Sequence, residues 1–448
     1  MRSGREEVNA VNGYMGEKRI IARAKKAVFF AVAVMMYFFI NEILNVGVFV
    51  TYRHVFALAL TAFAILCFLL RPNVARLAVA LKDALAYSVP LFVTLTASLY
   101  IWFAGHADTS VIARGLSGSI AYNNMLSFAL AAAAFLYMFG ERGIWYNLAA
   151  MLAANLLMIA KIVVEFGLGS YLSELIRLVV TFAGDTGEII VRAEVHELAF
   201  CLGAYIIFML MKPQKNKTYL VLLALTLFCF VSAFKRIGII AVAAALVIGF
   251  LVKFTAKYSE KTAVGLAVFF TLTTAALLFA YIAVIKLGAF EYLEKSGVDT
   301  TGRAEIYSAV SGFYEFSPDF LGHGIGFLTY RLSSGMNVGV SSVHNDFLQY
   351  YIDLGFWGYI AWLLSMTAFR LRYFGKNGID RTVTVLSLTL YLVIVSMTDN
   401  TMNYPLLTAT LAVLMSGNGF DERAAKADEK IFGRISDENK PVTGGRML

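Results

Sequence analysis

Long runs of apolar residues alternate with short polar segments along almost the whole chain. These runs are about 15 to 25 residues long, and about 20 apolar residues are what an α-helix needs to cross a bilayer. The pattern predicts an all-α polytopic membrane protein. Its twelve predicted spans are residues 27–45, 55–70, 84–104, 120–139, 144–168, 193–211, 218–233, 237–254, 262–287, 346–369, 382–398 and 404–417.

Two connections between the predicted spans are long, and long loops in compact proteins usually serve a function. Residues 169–192 carry an amphipathic pattern suited to a helix that lies at the membrane interface. Residues 288–345 form the largest loop, between spans nine and ten, with short helices predicted near 302–315 and 325–333. The predicted organisation is a tail at 1–26, spans one to nine in 27–287, the loop at 288–345, spans ten to twelve in 346–417, and a polar, disordered tail at 418–448.

Composition agrees with a membrane protein. Of the 448 residues, 59% are hydrophobic and 15% are charged, whereas a soluble protein carries about 25% charged residues. The first 26 residues are too charged for a cleavable signal peptide, so the first span is expected to remain in the mature protein. Cys67, Cys201 and Cys229 lie inside apolar segments, which predicts small buried side chains rather than a disulfide framework or a zinc site.

Lysine and arginine are unevenly distributed between the two sides of the predicted membrane protein. The two tails and alternate loops carry 27 of them, and the other loops carry nine. Positive residues accumulate on the cytoplasmic side, so both termini are predicted to be cytoplasmic and the 288–345 loop to face outward. The net charge of +8 therefore reflects topology, and no nucleic-acid partner is expected.

Three of the outward-facing cations are candidates for binding an anion. Lys235 and Arg236 lie in the turn SAFKRIGII, where two cations oppose the positive-inside bias; ordinary interfacial snorkelling is the alternative explanation. Arg303 follows a Thr-Thr-Gly sequence that can begin a helix. An arginine beside free helix N–H groups could cradle an anion, and a solvated helix residue is the alternative.

A polar sequence stands at the start of the tenth predicted span, VHNDFLQYYIDLGFWGYIAWLL. Asn345 and Asp346 are good helix N-caps, so both have a structural explanation. His344 precedes them, and the positive end of a helix dipole favours a neutral imidazole that can accept a proton. His344 is therefore a candidate general base, with a structural histidine as the alternative. Asp353, further along the same span, is expected to face a polar cavity rather than lipid.

A second polar sequence, VRAEVHELAF, precedes the sixth predicted span and contains Arg192, His196 and Glu197. The chain has no Asp-x-Asp pair, no His/Cys/carboxylate set with metal spacing, no Walker loop and no Gly-x-Ser-x-Gly sequence. No metal or cofactor is therefore expected. Any group transfer would use arginines to neutralise an anionic leaving group.

These segments resemble the O-antigen polymerase and O-antigen ligase superfamily of bacterial membrane glycosyltransferases. The similarity rests mainly on GRAEIYSAVSGFYEFSPDFLGHGIGF (302–327) and VHNDFLQYYIDLGFWGYIAWL (343–363). FKRIGIIA (234–241) is similar to the family's Ser-Arg-small element, with Lys235 in the place of Ser. AEVHELAF (193–200) is similar to its Asn-Pro-Asn segment, with Val195 and His196 in place of Pro and Asn.

The resemblance implies an inverting, metal-independent glycosyltransferase of the GT-C type in the bacterial inner membrane. Its substrates would be glycans on undecaprenyl pyrophosphate, polymerised on the outer face, as for O-antigen, capsule or exopolysaccharide; a chain-length regulator would be a further partner. On this basis His344 and Arg303 are the expected catalytic residues. The expected substrate-binding residues are Arg236, Lys235, Arg192, Asn345 and Asp346.

Other functions stay open at the level of the sequence. A ligase that transfers the glycan to the lipid A core would share the same motifs. A secondary transporter could also have twelve spans, but no half-to-half repeat or pair of Gly/Pro-broken helices is evident. A membrane scaffold would leave the clustered outward cations unexplained.

Overall fold

The computed structural model describes residues 23–38, 50–107, 109–122, 124–181, 189, 196–298, 300, 302–334, 343–376 and 378–438, and all regular structure in them is helical. The first ten helices are α1 (23–37), α2 (Val50–Leu70), α3 (Val74–Tyr87), α4 (Val89–Ala104), α5 (Thr109–Tyr122), α6 (Asn124–Phe139), α7 (Gly143–Phe166), α8 (Leu168–Thr181), α9 (His196–Met211) and α10 (Lys217–Ser232). The next ten are α11 (Arg236–Ala256), α12 (Glu260–Lys286), α13 (Ala289–Lys295), α14 (Arg303–Val310), α15 (Phe327–Ser334), α16 (Asp346–Leu364), α17 (Arg370–Phe374), α18 (Ile379–Ser396), α19 (Pro405–Gly417) and α20 (Phe420–Glu438).

Six stretches among the described residues are long and apolar enough to cross a membrane, and a bent helix pair would make a seventh. Three further apolar helices, α9, α10 and α19, are shorter than 18 residues. Each predicted span coincides with at least part of a helix. The chain is therefore a multi-pass helical membrane protein, while twelve crossings stay a prediction.

The bent pair, α3 and α4, lies where the sequence pattern predicted the single span 84–104. α3 and α4 meet at Ser88 with a bend of 49°. Pro90 lies in the first turn of α4, where its missing N–H and fixed φ favour the start of a new helix rather than continuation of the old one. Residues 74–87, which the sequence pattern placed largely in a loop, are therefore helical.

α19 lies at the centre of the bundle. All of its 13 residues are buried, and it packs against α6, α7 and α9. It carries no charged residue and is surrounded by protein, so a helix of this length is stabilised by packing rather than by its own propensity. Its N-terminus is preceded by the loop 397–404, which connects it to α18.

The C-terminal segment is folded for most of its length, so the expectation of a disordered tail is wrong for residues 420–438. α20 packs against α3 through charged groups that the sequence pattern left in solvent. Arg423 Nη1 lies 2.6 Å from Asp83 Oδ2, and Arg76 Nη2 lies 2.9 Å from Asp421 Oδ1. These ion pairs join residues more than 300 positions apart, which no local pattern can reveal.

Both short helices predicted in the 288–345 segment are present as α14 and α15. The chain between them, residues 320–326, fits into a break in α16 at Gly355, which has φ 70° and ψ −175°. Phe356 N–H donates to the Phe320 carbonyl at 2.8 Å, and Gly324 N–H donates to the Asp353 carbonyl at 2.7 Å. A Cβ at Gly355 would overlap the Leu321 carbonyl, so this close approach requires glycine.

Candidate functional site

His344 immediately precedes α16 and lies beside a carboxylate from a distant part of the chain. Its backbone is left-handed (φ 50°) and its side chain is 48% exposed. Its Nδ1 lies 3.8 Å from Oδ1 of Asp399, in the 397–404 loop. That distance is longer than a hydrogen bond, and the contact becomes an ion pair only when the imidazole is protonated. Because Nδ1 faces the carboxylate, Nε2 is the nitrogen left to meet a substrate.

Asp399 is held in place by its own loop. Its Oδ1 accepts the N–H of Asn400 at 2.8 Å and the hydroxyl of Tyr404 at 2.9 Å. Burial alone would raise the pKa of Asp399, but His344, these two hydrogen bonds and the nearby Lys235 together hold it below its ordinary value. Asp399 is therefore a carboxylate at neutral pH, able to orient the imidazole and to stabilise its protonated form.

The turn between α10 and α11 brings a second charge to Asp399. Phe234 is buried with a left-handed backbone (φ 37°), an unfavourable conformation for a bulky residue, which the surrounding structure must hold. Lys235 follows as the N-cap of α11 and interacts with the Asp399 charge. Burial lowers the pKa of Lys235 to about 8, with Asp399 acting to raise it and Arg236 acting to lower it further. Arg236 begins α11 and is exposed.

Arg303 approaches the same loop from α14. Gly302 has a left-handed backbone (φ 76°) and is the N-cap of this helix. Arg303 Nη2 donates to the carbonyl of Thr398 at 2.9 Å, next to Asp399 in sequence, and Nη1 donates to the carbonyl of Thr300 at 3.4 Å. The guanidinium, the Lys235 ammonium and the imidazole therefore converge on the 397–404 loop from three separate segments.

Asn345 and Asp346 are buried under this cluster and bonded to protein groups. Asn345 caps α16 through the N–H of Leu348 at 3.1 Å, and its amide donates to the hydroxyls of Tyr307 at 3.1 Å and Tyr281 at 3.3 Å. Asp346 Oδ2 accepts the N–H of Met402 at 2.9 Å. These contacts tie α16 to the segments carrying Arg303 and Asp399, so both residues hold the site together.

Asp353 has a structural role that the sequence pattern did not suggest. Its two carboxylate oxygens accept the N–H groups of Gly326 at 3.0 Å and Leu328 at 3.1 Å, at the start of α15. The expectation that it faces a polar cavity is therefore wrong, because the carboxylate meets the loop backbone. It fastens residues 320–328 to α16, the helix that begins beside His344.

The second polar sequence lies partly outside the described residues, and Arg192 and the His196 side chain are among the parts not described. Glu197 is buried, pairs with Arg53 and accepts the N–H of Leu406 in the first turn of α19. A carboxylate at a helix N-terminus is stabilised by the helix dipole. Glu197 thus anchors the helix that follows the Asp399 loop.

Sequence reasoning missed Asp399 and Tyr404. Both lie in MTDNTMNYP, where the predicted span 382–398 ends and the predicted span 404–417 begins, on the side assigned to the outer face. Asp399 directly follows the predicted span 382–398, and an ionisable residue at membrane depth is expected to have a polar partner, which could have marked Asp399 but not Tyr404. His344, the partner of Asp399, is 55 positions away, so no local pattern reveals the pairing.

The site combines a half-exposed imidazole, an ionised carboxylate behind it and basic side chains on either side. Such a set can accept a proton from a hydroxyl and stabilise a developing anion. Among the described residues, no group of three His, Cys, Asp or Glu side chains is placed to hold a metal ion.

Comparison with known proteins supports this interpretation. A family model described as O-antigen ligase matches residues 220–363. The matched segment contains Lys235, Arg236, Arg303 and His344, while Asp399 lies beyond it. No curated protein matches the chain. The resemblance seen in the sequence motifs is confirmed: residues 220–363 carry a domain of the O-antigen ligase family, consistent with the O-antigen polymerase and ligase superfamily.

Proposed function

We propose that the protein polymerises oligosaccharide repeat units carried on undecaprenyl pyrophosphate, on the outer face of the bacterial inner membrane. The observation that carries this proposal is the convergence of His344, Asp399, Lys235 and Arg303 at one end of the bundle. The distribution of lysine and arginine assigns this end to the outer side, with both termini in the cytoplasm. A GT-C type fold and a chain-length regulator as partner belong to the same proposal.

The family resemblance implies an inverting transfer, and the proposed reaction is therefore a single displacement. The acceptor hydroxyl loses its proton to Nε2 of His344 while its oxygen bonds to the anomeric carbon of the donor sugar. The bond from that carbon to the pyrophosphate oxygen breaks, and its electron pair leaves with the pyrophosphate. Attack from the opposite side inverts the anomeric configuration. Asp399 stabilises the imidazolium that forms.

The leaving pyrophosphate needs fixed positive charge, because its charge grows as the glycosidic bond breaks. Arg303 offers a planar guanidinium suited to two phosphate oxygens, and Lys235 and Arg236 offer charge from the facing turn. Arg303 is already oriented by the Thr398 carbonyl at 2.9 Å, which favours a defined geometry over a mobile surface charge. Arg192 is a further proposed contact to the pyrophosphate of the glycan donor.

A ligase that transfers the glycan to the lipid A core is the second candidate function. The family description, O-antigen ligase, favours it. The GRAEIY and HNDFLQYYIDLGFWG sequences resemble those of capsule and O-antigen polymerases, and on this resemblance we favour polymerisation. The two functions share the base and the pyrophosphate contacts and differ in the acceptor.

The test is chain extension by membranes that contain His344→Ala. A general base contributes about 10²–10⁴-fold to the rate, so products longer than one repeat unit should disappear while the protein level is unchanged. Retention of long products would refute the role of His344. Supplying either lipid-linked repeat unit or lipid A core as the only acceptor separates the two functions: extension with the first supports the polymerase, and transfer only to the second supports the ligase.

A further inference from the structure

A groove on the side of the bundle lies far from the candidate site. One wall is a stripe on α12, and the other is a stripe on the segment 365–376, which contains a π-helical turn (Ser365–Phe369) followed by α17. The space between them is about 400 Å³, within the range of small-molecule sites. Its lining includes Val264, Val268 and Leu272 on α12, and Arg372 and Lys376 on the facing segment.

The groove has an apolar body and a cationic end. Val268 and Leu272 of α12 are exposed by 44% and 50%, so the groove opens sideways, where the bilayer surrounds the protein. The hydroxyls of Thr271 and Thr382 donate to backbone carbonyls of their own neighbourhood, Ala267 at 2.8 Å and Gly375 at 2.9 Å. Within the lining, the side chains left to meet a polar ligand are Arg372 and Lys376.

Arg372 lies in α17 and Lys376 lies two residues beyond the end of that helix, and both side chains are exposed. Lys376 Nζ stacks over the Tyr373 ring at 4.8 Å. The carboxylate at the start of α18, Asp380, pairs with Lys253 at 3.6 Å. Among the described residues, no ion pair joins Arg372 or Lys376 to a carboxylate. The end of the groove therefore presents two positive charges to its surroundings.

The groove and the candidate site lie at opposite ends of α12. Tyr281 bonds Asn345 beneath the candidate site, whereas Val264 lies 17 positions earlier, about 25 Å along a helix axis at 1.5 Å per residue. The cationic end coincides with the side that the lysine and arginine distribution assigns to the cytoplasm. Anionic lipids are concentrated in that leaflet, and basic pockets between spans bind their head groups.

We propose that this groove binds an anionic diacyl phospholipid, with one acyl chain along Val264, Val268 and Leu272 and the phosphate between Arg372 and Lys376. An amphiphile is required because the apolar wall and the cationic end are continuous. Free phosphate would leave the apolar wall unused, and a zwitterionic lipid would bring its own positive charge to the cations.

The experiment measures lipid retention by the purified full-length protein, using native mass spectrometry in detergent with added phosphatidylglycerol or phosphatidylcholine. Phosphatidylglycerol should be retained in preference. The double variant Arg372→Ala/Lys376→Ala should bind it about 30-fold more weakly, from the usual contribution of a cation near an anionic lipid surface. Lys257→Ala/Lys261→Ala removes the same charge from exposed residues outside the groove and should change binding less than threefold.

A second pair of variants tests the apolar wall. Val268→Trp should fill the groove and lower phosphatidylglycerol retention, whereas Val247→Trp, on the exposed face of α11, should not. Melting temperatures in lipid-free detergent establish that each variant is folded. The proposal is overturned if phosphatidylcholine binds equally well, if both double variants lose binding to the same extent, if inorganic phosphate competes at equal concentration, or if polyprenyl phosphate is retained in preference.

Discussion

Replacing Asp399 by asparagine tests whether the 397–404 loop takes part in catalysis. The amide has the size of the carboxylate and can still accept the N–H of Asn400 or the hydroxyl of Tyr404, which lie 2.8 and 2.9 Å from Oδ1. The substitution therefore removes the charge beside His344 and leaves the loop in place. We expect a lower kcat with little change in KM, because the charge acts on an imidazolium that exists only once the acceptor proton has moved.

The magnitude follows from the distance between the two groups. Two unit charges 3.8 Å apart interact by about 4 kcal/mol at an effective dielectric of 20 and by about 1 kcal/mol in water. The His344 side chain is 48% exposed, which places the pair nearer the second value. A loss of about 1–2 kcal/mol corresponds to a rate about 5–30-fold lower, smaller than the loss expected for His344→Ala.

The assay is chain extension of lipid-linked oligosaccharide by purified protein in nanodiscs, with initial rates measured over a range of donor concentrations. Asp380→Asn is the matched control, because Asp380 lies at the opposite end of α18 and its side chain is 65% exposed. It should leave kcat unchanged. Melting temperatures of both variants in the same nanodiscs establish that neither is unfolded.

Two results would refute this reasoning. One is an Asp399→Asn rate equal to that of the unmodified protein. The other is a double variant with His344→Ala whose rate loss is the product of the two single losses, because a residue that acts through His344 has nothing left to act on once the imidazole is gone.

The remaining predictions concern the cations and the support of the site. Lys235, whose pKa is lowered to about 8, should lose its proton as the pH rises through 8, so kcat/KM for the glycan donor should fall there. Lys235→Arg should move this fall to higher pH. A pH profile that Lys235→Arg leaves unchanged would exclude a contact between Lys235 and the glycan donor. Arg303→Ala should lower kcat/KM by about 10²–10³-fold. Arg303→Lys should restore only part of this activity, since an ammonium cannot bind two phosphate oxygens in parallel. Full activity of Arg303→Lys would contradict a bidentate contact. Asp353→Ala should lower the free energy of unfolding by about 2 kcal/mol, because the N–H groups of Gly326 and Leu328 lose their carboxylate acceptor. Denaturant unfolding in detergent measures this loss. The control Asp380→Ala, at an exposed position, should change the free energy of unfolding by less than about 0.5 kcal/mol.

The helices themselves were largely predictable. The apolar runs predicted the bounds of α9 to α12, α18 and α19 within a few residues of the observed ends. They could do so because a helix that packs in a membrane must be apolar over its length. The bend at Ser88 and the folded C-terminal helix were not predicted. The first depends on a proline within a continuous apolar run, and the second on an ion pair between Arg423 and Asp83, which lie 340 positions apart.

The sequence by itself determined the class of protein, the positions of the apolar helices and the candidates His344 and Arg303, because hydropathy, charge distribution and helix caps are local properties. Only the tertiary structure decided that Asp399 lies beside His344 and that Arg303 contacts the same loop. It also gave Asp353 its role, as the acceptor for N–H groups at the start of α15. Each of these contacts joins segments 25 or more positions apart, so they depend on the packing of distant helices, which no local pattern of residues encodes.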